Sequence, residues 1–157
     1  MSVSLSLILP RERGRLSSLL APYFADVSPN ADIDPLQRAE QMLNRKDVTA
    51  FWIHAGDLRT GFAIVLNLPD DRRELSEFMI LPNYRRRGLG TAAAALILNE
   101  FPGFWRMGIS RHSRMAAAFW GTCLSLLPNV SGLREGAPFT DQQIKSFTFE
   151  IEGPHHG

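Results

Sequence analysis

The chain has 157 residues, with 17 Lys and Arg against 16 Asp and Glu and a formal net charge of +1. That length fits one domain around one sizeable core, and the charge balance excludes a general affinity for nucleic acid or an anionic membrane. The lone cysteine, Cys123, excludes an intrachain disulfide and a cysteine-based zinc site and gives no sign of an oxidising compartment, so a cytoplasmic protein is expected.

At the N-terminus Val3, Leu5 and Leu7 alternate with serines, the period of a half-buried strand, and Pro10 ends it. The stretch lacks a positive n-region and so reads as a strand, not a signal peptide. No segment approaches the ~20 apolar residues that span a bilayer. Residues 11–24 place Leu16, Leu19, Leu20, Tyr23 and Phe24 at helical spacing. After a turn-rich loop, Asp34 and Pro35 supply a cap and a first-position proline for a second helix with Leu36, Ala39, Met42 and Leu43 on its apolar face. Residues 48–54 and 61–66 are β-rich runs about the turn Ala55-Gly56-Asp57 and are expected to form a hairpin, and 73–80 is the next strand. A helix then runs to Asn99-Glu100, where Pro102-Gly103 closes it. A short strand over 105–109, a helix over 114–127 stopped by Pro128, and two strands over 130–133 and 144–151 complete the order β-α-α-β-β-β-α-β-α-β-β. One domain is expected over residues 1–152, with a frayed, disordered tail over 153–157.

The residues that carry chemistry cluster between Ile80 and the alanine-rich helix, in Leu81-Pro82-Asn83-Tyr84-Arg85-Arg86-Arg87-Gly88-Leu89-Gly90-Thr91. Glycine lets backbone approach a ligand closely, free N–H groups at a helix start favour an anion, and three arginines add positive charge at the same place. Neither the Walker spacing nor the three-glycine dinucleotide fingerprint is present. Taken by itself the pattern fits a pyrophosphate cradle and a solvated basic turn equally well. A strand–arginine–Gly-x-Gly–helix turn of this kind resembles the acyl-coenzyme A site of the GNAT N-acetyltransferases. Arg85, Gly88 and Gly90 meet that family's Arg/Gln-x-x-Gly-x-Gly/Ala pattern, and the order of elements resembles its topology over nearly the whole chain.

The resemblance implies an α/β (α+β) fold, the GNAT acyl-CoA N-acyltransferase fold, with a mixed central sheet of seven strands flanked by four helices. It implies acetyl-CoA as cosubstrate, its pyrophosphate held by Arg85, Arg86, Arg87, Gly88, Leu89, Gly90 and Thr91, chiefly through backbone N–H groups from Arg86 to Thr91. Ser113-Arg114-Met115-Ala116-Ala117-Ala118-Phe119-Trp120 resembles the family's second element, Asn-x-x-Ala-x-x-Phe-Tyr/Trp. On that likeness Ala116 leaves room for the pantetheine arm, Phe119 packs beneath it, and Ser113 stands in for the asparagine; core packing accounts for Phe119 and Trp120 as well. The strand before the turn is expected to splay from the next one, leaving backbone groups of Met79, Ile80 and Leu81 free for pantetheine.

Transfer to an amine needs a base for the amine and a proton for the leaving thiolate. Counting back from the turn, Glu74 lies where the resemblance places a general-base glutamate in some members, while simple alternation puts Glu77 on the opposite face of the sheet; surface carboxylates are the other reading of both, and His54 is a further candidate. The resemblance implies a tyrosine as general acid a few residues beyond the second element; neither Tyr23 nor Tyr84 falls there, where Cys123 and Ser125 are the nearest polar groups, so no acid is named. Two functions therefore stand: an N-acetyltransferase acting on a small-molecule or peptide amine by direct attack in a ternary complex, and an acyl-CoA-binding module without transferase activity. The acceptor is expected near Tyr23, Phe24, the loop over residues 28–34 and the last hairpin, where Asp26, Asp32 and Asp34 suit a cationic amine. The resemblance leaves a monomer or a homodimer open.

Overall fold

The alternating and helical apolar patterns converge on one sheet with two helices against each face. The computed structural model describes residues 2–153. In chain order the elements are β1 (Val3–Leu7), a 3-10 turn (Pro10–Glu12), α1 (Arg13–Val27), α2 (Pro35–Asn44), β2 (Val48–Ala55), β3 (Leu58–Leu68) and β4 (Arg72–Ile80). There follow a second 3-10 turn (Pro82–Tyr84), α3 (Leu89–Glu100), β5 (Gly103–Ser110), α4 (Arg114–Leu126), β6 (Val130–Gly136) and β7 (Gln143–Ile151). The seven strands lie in the order β1-β2-β3-β4-β5-β7-β6. Neighbours are antiparallel except β4 and β5, which are parallel and joined through α3. Of the tail expected to fray, residues 154–157 lie outside the described residues.

Local chemistry explains the helix boundaries. Asp34 Oδ1 accepts from the N–H groups of Leu36 and Gln37 at 3.1 and 3.2 Å, and Pro35 takes the first helical position. The first helix starts two residues later than the apolar spacing suggests, because Pro10–Glu12 closes as a 3-10 turn with the Glu12 carboxylate accepting from Leu9 N–H. The two faces of the sheet bury separate cores. Leu16, Leu20 and Phe24 of α1 and Ala39 and Met42 of α2 pack on Trp52, Phe62, Ile64 and Met79. On the other face Ala93, Ala94 and Ile97 of α3 and Trp120, Cys123 and Leu124 of α4 pack on Phe51, Ile53, Val65, Trp105, Met107 and Phe147. No helix among the described residues is long and apolar enough to cross a membrane.

Candidate active site

β4 and β5 share only two paired positions, Arg73 with Trp105 and Glu74 with Arg106. Beyond them β4 stays on β3 as far as Ile80, while β5 follows β7 to Ser110, so the two strands part as expected. From Ser76 onward the β5-facing backbone of β4 has no ladder partner on β5, a cost that a bound molecule relieves. Within this stretch Leu81 N–H donates to Thr60 O at 2.8 Å and Ile80 O accepts from Arg85 Nε at 2.7 Å, so those two groups are already engaged. The far end of the cleft is tied off where Ser110 Oγ donates to Val27 O of α1 at 2.6 Å.

The β3–β4 ladder slips by one residue: Ile64 pairs with Glu77 but Val65 pairs with Leu75, leaving Ser76 as a β-bulge. A bulge reverses the alternation that follows it. Glu77 therefore lies on the α1/α2 face beside Glu74, opposite Ile64 and Leu66 respectively, and not on the face that simple alternation assigns to it. The two carboxyls meet different surroundings. Glu74 Oε1 accepts from Arg106 Nε at 2.7 Å, and the Arg106 guanidinium in turn lies 4.9 Å from the ring of Phe139, in the β6–β7 loop. Among the described residues Glu77 has no cation within ion-pair distance; burial pushes its pKa from 4.5 up to about 7, against the opposing effects of a Tyr23 hydrogen bond and the Arg38 charge. Tyr23, from the third turn of α1, brings its hydroxyl to the Glu77 carboxyl and the Phe78 backbone, and burial with the nearby Glu77 charge raises its own pKa well above 10. Its ring stands edge-on to Phe24 and Phe62, 5.3 and 5.4 Å away. A carboxyl near neutrality with a permanently protonated phenol beside it is an arrangement suited to taking a proton from an amine.

At the other side of the cleft, the turn into α3 has the form of an anion cradle. Arg86 and Gly88 are both left-handed, at φ 64° and 75°, and Gly88 caps α3. The first amide to find a backbone acceptor at the helix start is Ala92, bonded to Gly88 O at 3.2 Å. The N–H groups of Leu89, Gly90 and Thr91 thus stand at the open end of the helix dipole. Arg86 and Arg87 are exposed, whereas Arg85 folds back to hold the end of β4. The Thr91 hydroxyl faces inward to the buried Cys123 thiol, whose pKa burial raises to about 11. These residues fit a pyrophosphate through amides and two free guanidinium groups.

α4 reaches the cleft from the same side. Ser113 caps it, Oγ accepting from Ala116 N–H at 3.4 Å, so its hydroxyl oxygen serves the helix first. The Phe119 ring stacks on Phe78 of β4 at 6.1 Å and lies against Gly90, where an added Cβ would sit 3.0 Å from the ring. Trp120 is buried edge-on to Phe78 at 5.0 Å. Ala116 is partly buried at the same core. His54 is remote from all of this, its Nε2 2.8 Å from Ser6 Oγ on β1. Asp34 is committed to capping α2 and is not a free carboxylate for a cationic acceptor.

No curated protein matches the chain in sequence. Solved structures do match in fold. An acetyltransferase from Thermus thermophilus is 18% identical and superposes with a TM-score of 0.67 over 95% of this chain and 96% of its own. The PaiA N-acetyltransferase from Thermoplasma acidophilum, in complex with coenzyme A, is 13% identical, with a TM-score of 0.65 over 97% of this chain and 100% of its own. The ribosomal-protein-S18-alanine N-acetyltransferase from Escherichia coli is 16% identical, with a TM-score of 0.61 over 99% and 98%. At these identities the likeness is one of fold. A sequence profile of the acetyltransferase (GNAT) family matches residues 15–113, well over half of the chain and spanning α1 through the first glycine turn to the start of α4. The chain therefore belongs to the acetyltransferase (GNAT) family.

Proposed function

We propose that this protein transfers an acetyl group from acetyl-CoA to an amine by direct attack within the β4–β5 cleft, with Glu77 as the base. The chain is an acetyl-CoA-dependent N-acetyltransferase, as its family and fold indicate. Acetyl-CoA supplies an acyl group already activated as a thioester. The N–H groups from Arg86 to Thr91, with the Arg86 and Arg87 guanidinium groups, hold its pyrophosphate, and Arg85 keeps the turn in place from the end of β4. The parted backbone at Met79 and the Ile80 N–H, with the small side chain of Ala116, receive the pantetheine arm, Phe119 lying beneath it and Ser113 at the helix cap, while the Ile80 carbonyl stays on Arg85 and Leu81 on Thr60 and Tyr84.

The observation that carries this reading is the Ser76 bulge, which sets Glu77 on the α1/α2 face, where burial raises its pKa to about 7. An amine arrives as its ammonium form and gives one proton to the Glu77 carboxylate, which leaves a neutral nucleophile; as its nitrogen bonds to the thioester carbonyl carbon the C–S bond breaks, and the departing CoA thiolate takes up the nitrogen's second proton. Tyr23 is a positioning residue: its hydroxyl donates to Glu77 and fixes the carboxyl in the cleft. Glu74, held by Arg106, acts through charge, since its proximity helps to raise Glu77. Attack needs no covalent enzyme intermediate, because Cys123 is buried and held in its thiol form.

In this reading residues 1–152 act as one domain in the cytoplasm, supported by a single sheet running from β1 at one edge to β6 at the other and by one cysteine, buried and unpaired. Neither sheet edge, β1 or β6, carries a further strand among the described residues, which allows a monomer or a homodimer. The test is calorimetric titration with coenzyme A beside thiol release from acetyl-CoA over an amine panel. Binding together with amine-dependent release is expected; tight binding with no release for any amine makes the chain an acyl-CoA-binding module instead.

A further inference from the structure

A cavity of about 470 Å³ opens between α2 and the β3–β4 hairpin, on the same face as Glu77, which lines it. Its floor is apolar, formed by Met42, Ile64 and Leu66, and its rim carries Arg38 of α2 and Arg45 just past the end of that helix. Arg38 and Met42 share a wall because they lie one turn apart on α2, and Arg45 follows as the extended residue that ends the helix. The two arginines differ in what already satisfies them. Arg45 grips Asp47 through two bonds, Nε to Oδ1 at 2.8 Å and Nη2 to Oδ2 at 2.7 Å, so its charge is met. Half-buried Arg38 lies 5.4 Å over the Phe24 ring and, among the described residues, makes no hydrogen bond or ion pair. Its field reaches Glu77, but the two groups stand beyond ion-pair distance within one cavity.

A guanidinium held against an aromatic face and lacking an anion is a binding element for carboxylate or phosphate. A ligand carrying only amines would set a second cation beside Arg38 and meet repulsion there. A ligand with an amine at one end and an anion at the other pairs with both walls. We infer that the acceptor is a small zwitterion, an amine that also bears a carboxylate or phosphate group, with the anion on Arg38 and the amine directed to Glu77. This rests on the transferase reading above, and it narrows the acceptor to one chemical class.

Three matched acceptors test it: butylamine, 1,4-diaminobutane and 4-aminobutanoate, with 2-aminoethyl phosphate as the arm that separates phosphate from carboxylate. Thiol release from acetyl-CoA gives kcat and KM for each, and calorimetry with the acceptor alone gives binding. Wild type is expected to favour an anionic acceptor over butylamine. Measured at a pH above the acid limb, Arg38→Ala is expected to raise KM for that acceptor by roughly 10- to 100-fold, the usual weight of a charge-assisted bond, and KM for butylamine far less; for every acceptor the limb itself should move to higher pH, because the Arg38 charge opposes the rise of Glu77. Arg38→Lys is expected to recover part of the loss. A wild-type preference for butylamine or the diamine, or an anionic preference that Arg38→Ala leaves intact, overturns the inference and leaves the transferase reading standing. Binding of an anionic amine that depends on Arg38, with no thiol release, keeps the inference and removes the transferase reading. No binding and no turnover with any of the four removes both.

Discussion

Replacing Glu77 by Gln gives a thermodynamic test of its setting that is independent of catalysis. Folding moves the Glu77 pKa from an ordinary 4.5 up to about 7, with burial as the leading cause. The folded protein therefore holds this proton more tightly than the unfolded chain does. The carboxyl's contribution to stability is complete below pH 4.5 and is lost as pH rises through about 7. The gap between the two values corresponds to on the order of 3 kcal/mol. Gln mimics the protonated acid and does not titrate, and other ionisable groups cancel in the difference between variant and wild type. Urea unfolding of both proteins at pH 5 and pH 8 is the assay. Relative to wild type, Glu77→Gln should gain stability between those pH values by roughly that amount. A stability difference that stays constant from pH 5 to pH 8 refutes the burial of Glu77, and with it the reason for choosing it as the base.

Tyr23→Phe removes the hydroxyl that favours the Glu77 carboxylate, so the Glu77 pKa should rise further and the acid limb of the rate profile should move to higher pH. A limb that stays or moves down contradicts the pairing. Gly88→Ala forces φ 75° on a residue with a side chain; its Cβ meets nothing within 4 Å, so the cost is conformational, about 1–2 kcal/mol of stability. Thermal unfolding reads that cost and calorimetry reads the expected loss of coenzyme A affinity; unchanged affinity removes the turn from the cofactor site. Glu74→Gln breaks one partly exposed ion pair with Arg106, worth on the order of 1 kcal/mol or less, and should move the midpoint of the acid limb somewhat lower without removing the limb, because the Glu74 charge helps to raise Glu77. Disappearance of that limb would restore Glu74 as the base.

The architecture was legible because its signals are local and repeated. Alternation in Val3, Leu5 and Leu7, the Asp34-Pro35 cap and the paired glycines before an alanine-rich helix each specify an element without help from the rest of the chain. The parting of β4 from β5 was legible only through resemblance, since nothing in residues 105–109 announces where pairing stops. The base assignment turned on the Ser76 bulge. A bulge at an ordinary residue carries no compositional mark, and its effect is to turn Glu77 through the sheet, so counting by twos could not find it. Tyr23 and Arg38 meet Glu77 from helices more than thirty residues upstream, a pairing made by the fold and invisible to spacing. In the same way Arg85 bonds Ile80 O and Asp34 caps α2, roles that only the closed structure assigns to charged side chains.

The most direct measurement is the pH dependence of kcat/KM for acetyl transfer, in wild type and in Glu77→Gln. Wild type should show an acid limb with a midpoint at about 7, rising as Glu77 loses its proton. The variant should lose that limb and fall by roughly 10²- to 10⁴-fold, the weight of a positioned base. A Glu77→Gln enzyme that keeps the wild-type rate and the wild-type limb would contradict the account.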